Sequence, residues 1–271
     1  MMFSKCKICS AEMRVLFTAT VLYKYEVNYF QCITCKFIQP EKPYLISEAY
    51  SKAITSLDIG LISRNQTYSE LLEGYFSNKF LPSNGVYLDY GGGYGMFVRM
   101  MRDKGFKFFR QDIYCENLFA EHFDLSDIEE TTYFNLLTAF EVFEHLEDPL
   151  NEIRKMLSYS NCILFSTLLQ PENITNVDSW WYFVPETGQH IALYHMETLI
   201  TIAKKLNLNL YTNNQNLHIL SKEPLAFNPF EEKKKTLKEK FYHLLFSESN
   251  LQKKESLLQK DFELIKNKLG K

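Results

Sequence analysis

The chain has 271 residues, 46% of them hydrophobic, with 30 basic against 33 acidic side chains for a formal charge of −3. That length and composition support one α/β domain with small additions, and the near balance of charge removes any global drive toward nucleic acid or an acidic membrane. No apolar run approaches the roughly twenty residues that cross a bilayer, and a cysteine pair stands where a signal peptide would place its apolar block, so a cytoplasmic location is expected.

Four of the cysteines fall as Cys6-x-x-Cys9 and Cys32-x-x-Cys35. Two such knuckles fit a tetrahedral four-thiolate zinc site, each turn bringing two sulfurs to one ion. Two disulfides or a redox pair are the rival readings; the first lacks a secretory context and the second lacks thioredoxin-like surroundings. From Met13 to Gln31 the residues are rich in Val, Leu, Tyr and Phe and read as a hairpin, which makes 1–43 a zinc ribbon. So small a module depends on its ion for much of its folding free energy. Lys7, Arg14 and Lys24 form no basic stripe, which disfavours nucleic acid as a partner; an RNA-modifying or nucleic-acid-binding ribbon protein stays as the alternative. Cys115 and Cys162 are isolated and read as packing residues.

Residues 44–80 read as a helical covering segment broken around Asp58-Ile59-Gly60. Alternating strands and helices follow over 81–225. A strand over Val86–Tyr90 carries Asp89 and runs into Gly91-Gly92-Gly93-Tyr94-Gly95, then a helix over Met96–Asp103. Glycines at 91, 93 and 95 allow positive φ and close approach of a ligand at a strand-to-helix turn. The spacing is not that of a dinucleotide fingerprint, because Met96 or Val98 falls where the third glycine belongs, and no Gly-Lys-Ser/Thr marks a P-loop. An ordinary Gly-rich turn is the plain alternative. Phe106–Gln111 is the second strand. Asp112 then lies beyond its carboxyl end, about twenty residues past the glycine turn, where a carboxylate accepts both hydroxyls of a ribose; a solvated loop residue is the other reading. Asp89 is expected to organise the glycine loop through backbone N–H groups or to meet a ligand ammonium.

Strand signals between Phe119 and Thr132 are poor, and Phe119 or Phe123 is either an adenine-stacking ring or core. Further strands are read over Phe134–Phe140 and Cys162–Thr167, with helices over Leu150–Leu157 and Met196–Leu206. Two last strands, Asn209–Thr212 and Leu217–Ser221, flank Asn213-Asn214-Gln215-Asn216, a hairpin turn by its chemistry. Alternation closed by a hairpin predicts a mostly parallel sheet with one antiparallel strand. Beyond residue 226, apolar residues at helical intervals among many lysines predict amphipathic helices that pack on the domain or on a second copy in a homodimer.

The spelling Asp89-x-Gly91-x-Gly93-x-Gly95 resembles the first motif of class I S-adenosylmethionine-dependent methyltransferases. Tyr50, Asp58-Ile59-Gly60, Arg64-Asn65, Asp112 to Phe119, Glu141-Val142-Phe143-Glu144-His145 and Trp181 to Ile191 follow in an order similar to bacterial members with an N-terminal zinc-ribbon segment, close to the sugar C-methyltransferases of deoxysugar biosynthesis. The resemblance spans about residues 1–225. It implies a Rossmann-like methyltransferase fold with a seven-stranded sheet, S-adenosylmethionine as cofactor, structural Zn2+, and a small-molecule acceptor such as a nucleotide-linked or surface-polysaccharide sugar. Asp89, Gly91, Gly92, Gly93, Gly95, Asp112 and Glu141 would then contact the cofactor, with Arg64 pairing with its carboxylate.

Methyl transfer needs an aligned nucleophile and excluded water, and a base where the nucleophile must lose a proton. Glu144, His145, Tyr182 and His190 are the candidates, histidine because it titrates near neutrality. His145 as a capping or packing residue and His190 as a loop residue bonded to backbone are the plain readings. Trp180, Trp181, Tyr182 and Phe183 suit a wall against a sugar ring, or core.

Overall fold

The computed structural model describes residues 5–41, 45–50, 55–77, 81–82, 84–128, 133–231, 263 and 266–267. Near the N-terminus β1 (Met13–Val21) and β2 (Tyr25–Cys32) form an antiparallel hairpin, and β3 (Ile38–Pro40) adds to the free edge of β2. Alternation puts Phe17, Ala19 and Val21 of β1 on one buried face with Val27 and Tyr29 of β2. That face does not stand alone. Phe17 and Tyr29 meet the ring of Phe183 edge-on at 5.1 and 5.5 Å, with Trp180, Tyr182 and Leu193 in the same cluster.

Two short helical pieces bracket the break read at Gly60: α1 (Ile46–Ala49) and α2 (Leu61–Ser77). The main sheet is built from β4 (Val86–Tyr90), β5 (Lys107–Gln111), β6 (Leu136–Ala139), β7 (Cys162–Ser166), β8 (Asn209–Thr212) and β9 (Leu217–Ser221). Their order is β5-β4-β6-β7-β9-β8, parallel from β5 to β7, with β9 antiparallel to both neighbours. The sheet is buried on both faces, as a parallel sheet must be. Leu88, Leu137, Ile163 and Phe165 face α4 (Pro149–Tyr159) and α5 (Met196–Leu206), in one core cluster with the ribbon's Ile8, Met13 and Phe37. Tyr87, Phe108, Leu136, Leu164 and Ile219 face α2 and α3 (Met96–Asp103). Helices α4 and α5 start on side-chain caps: Asp148 accepts from the Asn151 N–H ahead of Pro149, and His195 Nδ1 accepts from the Glu197 N–H.

Six strands, not the expected seven, form this sheet among the described residues. Beyond β5 the chain makes a single parallel bridge, Arg110 to Asp124, and at once enters a one-turn helix over Leu125–Asp127 capped by Asp124. The polar run His122, Asp124 and Asp127 offers no apolar alternation to bury, so pairing stops after one residue. Phe134 likewise lies outside β6, held by a lone bridge to Ser160. The helices expected beyond residue 226 lie outside the described residues, except that Lys266 pairs with Glu186 at 2.9 Å. No described helix is long and apolar enough to cross a membrane.

Candidate active site

Strands β5 and β6 leave β4 on opposite sides, so the crevice beyond the carboxyl ends of these strands sits at the switch point of the sheet. A cavity of about 550 Å³ opens there. The glycine turn forms its floor at one end, and the segments after β6 and around Tyr182 form the other.

At the glycine end, Gly91, Gly93 and Gly95 all have positive φ. A Cβ on Gly95 would lie 2.6 Å from Asn117 Oδ1 and 3.2 Å from the Ala120 nitrogen, so a side chain there collides with backbone as well as straining φ. The loop-organising carboxylate, expected in Asp89, is here Asp112. Its Oδ2 accepts the Gly93 N–H at 2.9 Å, and its Oδ1 accepts those of Tyr114 and Cys115 at 2.7 and 2.8 Å. Asp89 sits instead within the sheet opposite Thr138 of β6, whose hydroxyl donates to it at 2.6 Å. Burial pushes the Asp89 carboxyl up to about 7, with the Thr138 hydroxyl opposing and the Asp112 charge adding to the shift.

Beneath this turn lies an arginine that nothing in the sequence pattern advertised. Arg110 is buried; its Nε donates to Asp124 at 2.6 Å and its Nη1 to the carbonyls of Gly93 and Cys115. Asn117 ties the same region to Ala120 and Asp124. The signal available was only a charged residue alternating into a strand otherwise read as apolar. Neither Phe119 nor Phe123 lines the cavity. Phe119 is half-exposed, and Phe123 lies under the Arg102 guanidinium, 3.4 Å from the ring centroid. Ile113 and Tyr114 line it instead.

Glu141 follows β6 in a left-handed conformation, φ 55°, which costs a branched-free residue about 1 kcal/mol or more. Its Oε1 accepts from Tyr68 at 3.0 Å and Ser166 at 2.6 Å, while Oε2 lies 3.5 Å from Arg64 Nε. Arg64 also pairs with Asp58, so two carboxylates hold it at the cavity rim. Burial, and next the neighbouring Glu144, raise the Glu141 carboxyl.

At the other end, Glu144, His145, Tyr182 and His190 come together. Glu144 is fully buried; its Oε1 accepts from Tyr182 Oη at 2.7 Å, and its Oε2 has no partner. His145 Nδ1 lies 3.1 Å from the Gln189 carbonyl and His190 Nδ1 lies 2.6 Å from the Tyr182 carbonyl. A carbonyl only accepts, so both Nδ1 atoms carry hydrogen. The two rings meet edge-on at 5.0 Å. Burial, and next His190, hold the His145 pKa down to about 3, while burial and Glu144 raise Tyr182 well above the phenol range. Of the aromatic run, Trp180, Tyr182 and Phe183 are buried and Trp181 is exposed on the cavity's edge. Gln189 and Tyr50 complete this end; Tyr50 lies edge-on to His145 at 6.0 Å and stacks on Tyr114.

Away from the cavity, the four N-terminal cysteine sulfurs lie within 4.8 Å of one another. The pairs Cys6–Cys35 and Cys9–Cys32 are 3.5 and 3.3 Å apart, well beyond a disulfide bond of about 2.05 Å. The N–H groups of Ile8, Thr34 and Cys35 point at Sγ atoms, each at 3.4 Å. Hydrogen bonding from Cys35 pushes the Cys6 thiol down to about 5. Four converging sulfurs supported by N–H groups fit a four-thiolate zinc site.

An open sheet with a glycine turn at its switch point, an acid past the second strand and a polar cavity beside them defines a nucleotide-type cofactor enzyme of the methyltransferase kind. Residues 63–213, more than half of the chain, match the model of the methyltransferase-domain family, and the chain belongs to it: it is an S-adenosylmethionine-dependent methyltransferase. Among solved structures it is similar to magnesium protoporphyrin IX methyltransferase from Synechocystis PCC 6803 with bound SAH, at 12% identity and TM-score 0.43, over 65% of this chain and 90% of that one. It is also similar to the plantazolicin methyltransferase BpumL in complex with SAH, at 12% identity and TM-score 0.42, over 66% and 89%. With LepI in complex with SAH and a substrate analogue the values are 15% and 0.39, over 52% of this chain and 43% of LepI, so the chain spans less than half of LepI's length. No curated protein matches the chain.

Proposed function

We propose that the protein methylates a small molecule bound between the glycine turn and the Glu144–His145–Tyr182–His190 cluster, with a nucleotide-linked or surface-polysaccharide sugar as the acceptor class. The single observation behind this reading is that cluster, set in the same cavity as the glycine turn. S-adenosylmethionine, when bound, supplies an electrophilic methyl on sulfur, and transfer breaks the C–S bond as the acceptor's carbon or oxygen forms its bond to the methyl. Everything else falls to the chain. Gly91, Gly92 and Gly93, which line the cavity, let the cofactor approach backbone, while Gly95, expected with them, is turned toward Asn117 and Ala120 and lets the loop pack. Asp112 keeps the turn shaped and retains acceptor capacity for ribose hydroxyls. Asp89 and Glu141 also line the cavity, with Arg64 at the rim as the cation to pair with a cofactor carboxylate.

The acceptor's proton leaves to the cluster. His145 and His190, each with Nδ1–H fixed on a carbonyl, present Nε2 lone pairs. His190 takes the proton from an acceptor hydroxyl or from a carbon beside a carbonyl, while burial, which holds the His145 pKa down to about 3, leaves His145 to accept a hydrogen bond and orient the acceptor. Tyr182 and Glu144 orient that pair. Trp181, Tyr50 and Tyr114 supply aromatic faces suited to a sugar ring. The cysteine cluster holds structural zinc and, through Phe17 and Tyr29 on Phe183, fixes the segment that carries Tyr182 and His190. Calorimetry with S-adenosylhomocysteine tests the cofactor half: wild type binds and Gly93→Arg does not. Wild type that binds none removes the proposal.

A further inference from the structure

Glu144, His145 and His190 have a second property that acid–base work does not need. Each brings a ligand atom within 4.8 Å of the others. The Oε2 of Glu144 is buried and unpartnered, although its twin oxygen is satisfied by Tyr182. Leaving such an oxygen without a donor carries a desolvation penalty, larger if the group is charged, so the arrangement calls for a cation or donor at that point. Both histidines donate Nδ1–H to backbone carbonyls. That is how ligating histidines are held: the carbonyl fixes the ring and the tautomer and leaves the Nε2 lone pair for an ion.

We infer that Glu144 Oε2, His145 Nε2 and His190 Nε2 form a second metal site, distinct from the cysteine cluster, that takes a borderline divalent ion such as Zn2+ or Co2+. Two imidazoles and one carboxylate suit such ions and not Mg2+ or Ca2+, which demand oxygen shells. Bonds of about 2.1 Å place ligand atoms about 3–3.5 Å apart, against ligand atoms that lie within 4.8 Å of one another here, so binding draws the three side chains together. Three protein ligands leave positions open toward the cavity. With the ion bound, the Nε2 lone pairs are spent on it and no longer take the acceptor's proton. An acceptor oxygen at an open position is polarised instead, its proton leaving to solvent, and a hydroxyl or enolised carbonyl with a neighbouring oxygen becomes the favoured acceptor chemistry. Ion binding itself does not rest on the methyltransferase reading; its consequence for the acceptor does.

The full-length protein, with its cysteine cluster loaded with zinc, is titrated with Co2+ alone. About one further equivalent is expected, with visible d–d bands and no thiolate charge transfer. His190→Ala and Glu144→Gln are each expected to weaken that event about a hundredfold, and Tyr182→Phe about tenfold, with ribbon zinc and cooperative unfolding kept as the check on folding. Wild type that takes up no further Co2+, uptake that shows thiolate charge transfer, or uptake equal in wild type and both ligand variants overturns the site. S-adenosylhomocysteine calorimetry on the same samples separates the two ideas: cofactor binding without Co2+ uptake sinks the metal site alone, and Co2+ uptake without cofactor binding sinks the methyltransferase reading alone.

Discussion

The two ends of the cavity differ in how completely their polar groups are satisfied. Around the glycine turn, Asp112 accepts three backbone N–H groups, Arg110 fills its fork with Asp124 and two carbonyls, and Asp89 is matched to Thr138. At the far end, Glu144 keeps one buried oxygen unpaired, and two imidazoles face one another with their Nδ1 atoms already committed. A turn braced by such bonds before anything binds is preorganised, and adds little reorganisation cost to capture of a ligand. Lone pairs held unspent in a buried place are reactive groups waiting for a proton, an ion or a substrate. On the function proposed above, the first end binds and the second does the chemistry.

The strongest test of that contrast removes the frame that holds the chemical end. Chelating the zinc proposed for the cysteine cluster, or replacing Cys32 by Ala, is expected to cost several kcal/mol, of the order seen for lost structural metals, because Cys6, Cys32, Cys35 and Phe37 belong to the same buried cluster as the main sheet. Thermal unfolding with and without chelator reads it; a ribbon that melts alone, leaving the main transition in place, would break the link. Next, Gly95→Val is expected to cost about 3 kcal/mol through strain and overpacking and to abolish S-adenosylhomocysteine binding. Calorimetry checks this, and retained binding would show that the turn does not form the cofactor floor.

Acid sensitivity probes the sheet behind the cavity. His218 is buried, with Nε2–H on the Thr167 carbonyl and Nδ1 accepting from Thr212, and burial holds its pKa down to about 4. Its folded value lies below its unfolded one of about 6.5, so the unfolded chain binds more protons between them and stability falls as pH drops from about 6.5 to 4. His218→Gln is expected to remove up to about 3 kcal/mol of that pH dependence, which denaturant titrations at pH 7 and pH 4.5 measure; an unchanged slope rejects the assignment. The smallest effect is at Tyr182→Phe, where loss of one hydroxyl leaves Glu144 with two bare oxygens and costs about 1–3 kcal/mol. Turnover should fall while cofactor affinity stays, and a fall in both would erase the distinction between the two ends.

Local patterns carried much of the architecture. The glycine alternation, the strand at Val86–Tyr90, the helix at Met96–Asp103 and the closing hairpin were written in spacing and turn chemistry, because each depends on neighbours a few residues away. The cysteine knuckles were legible for the same reason: two short turns suffice to converge their sulfurs. What the sequence did not carry were the long-range exchanges. It could not say that Asp112 rather than Asp89 would gather the loop's N–H groups, since that depends on one acid being sealed against Thr138 and the other standing past a strand end. Nor could it say that a missing strand would shrink to one bridge at Asp124, or that Arg110 would lie buried beneath the turn. Glu144, His145, Tyr182 and His190 were named together from the sequence, but the bonds that set them, Tyr182 on Glu144 and both Nδ1–H groups on carbonyls, came only with the tertiary packing. The ribbon's aromatic face sets the position of that later segment, and a contact of that kind has no local signature for a sequence to display.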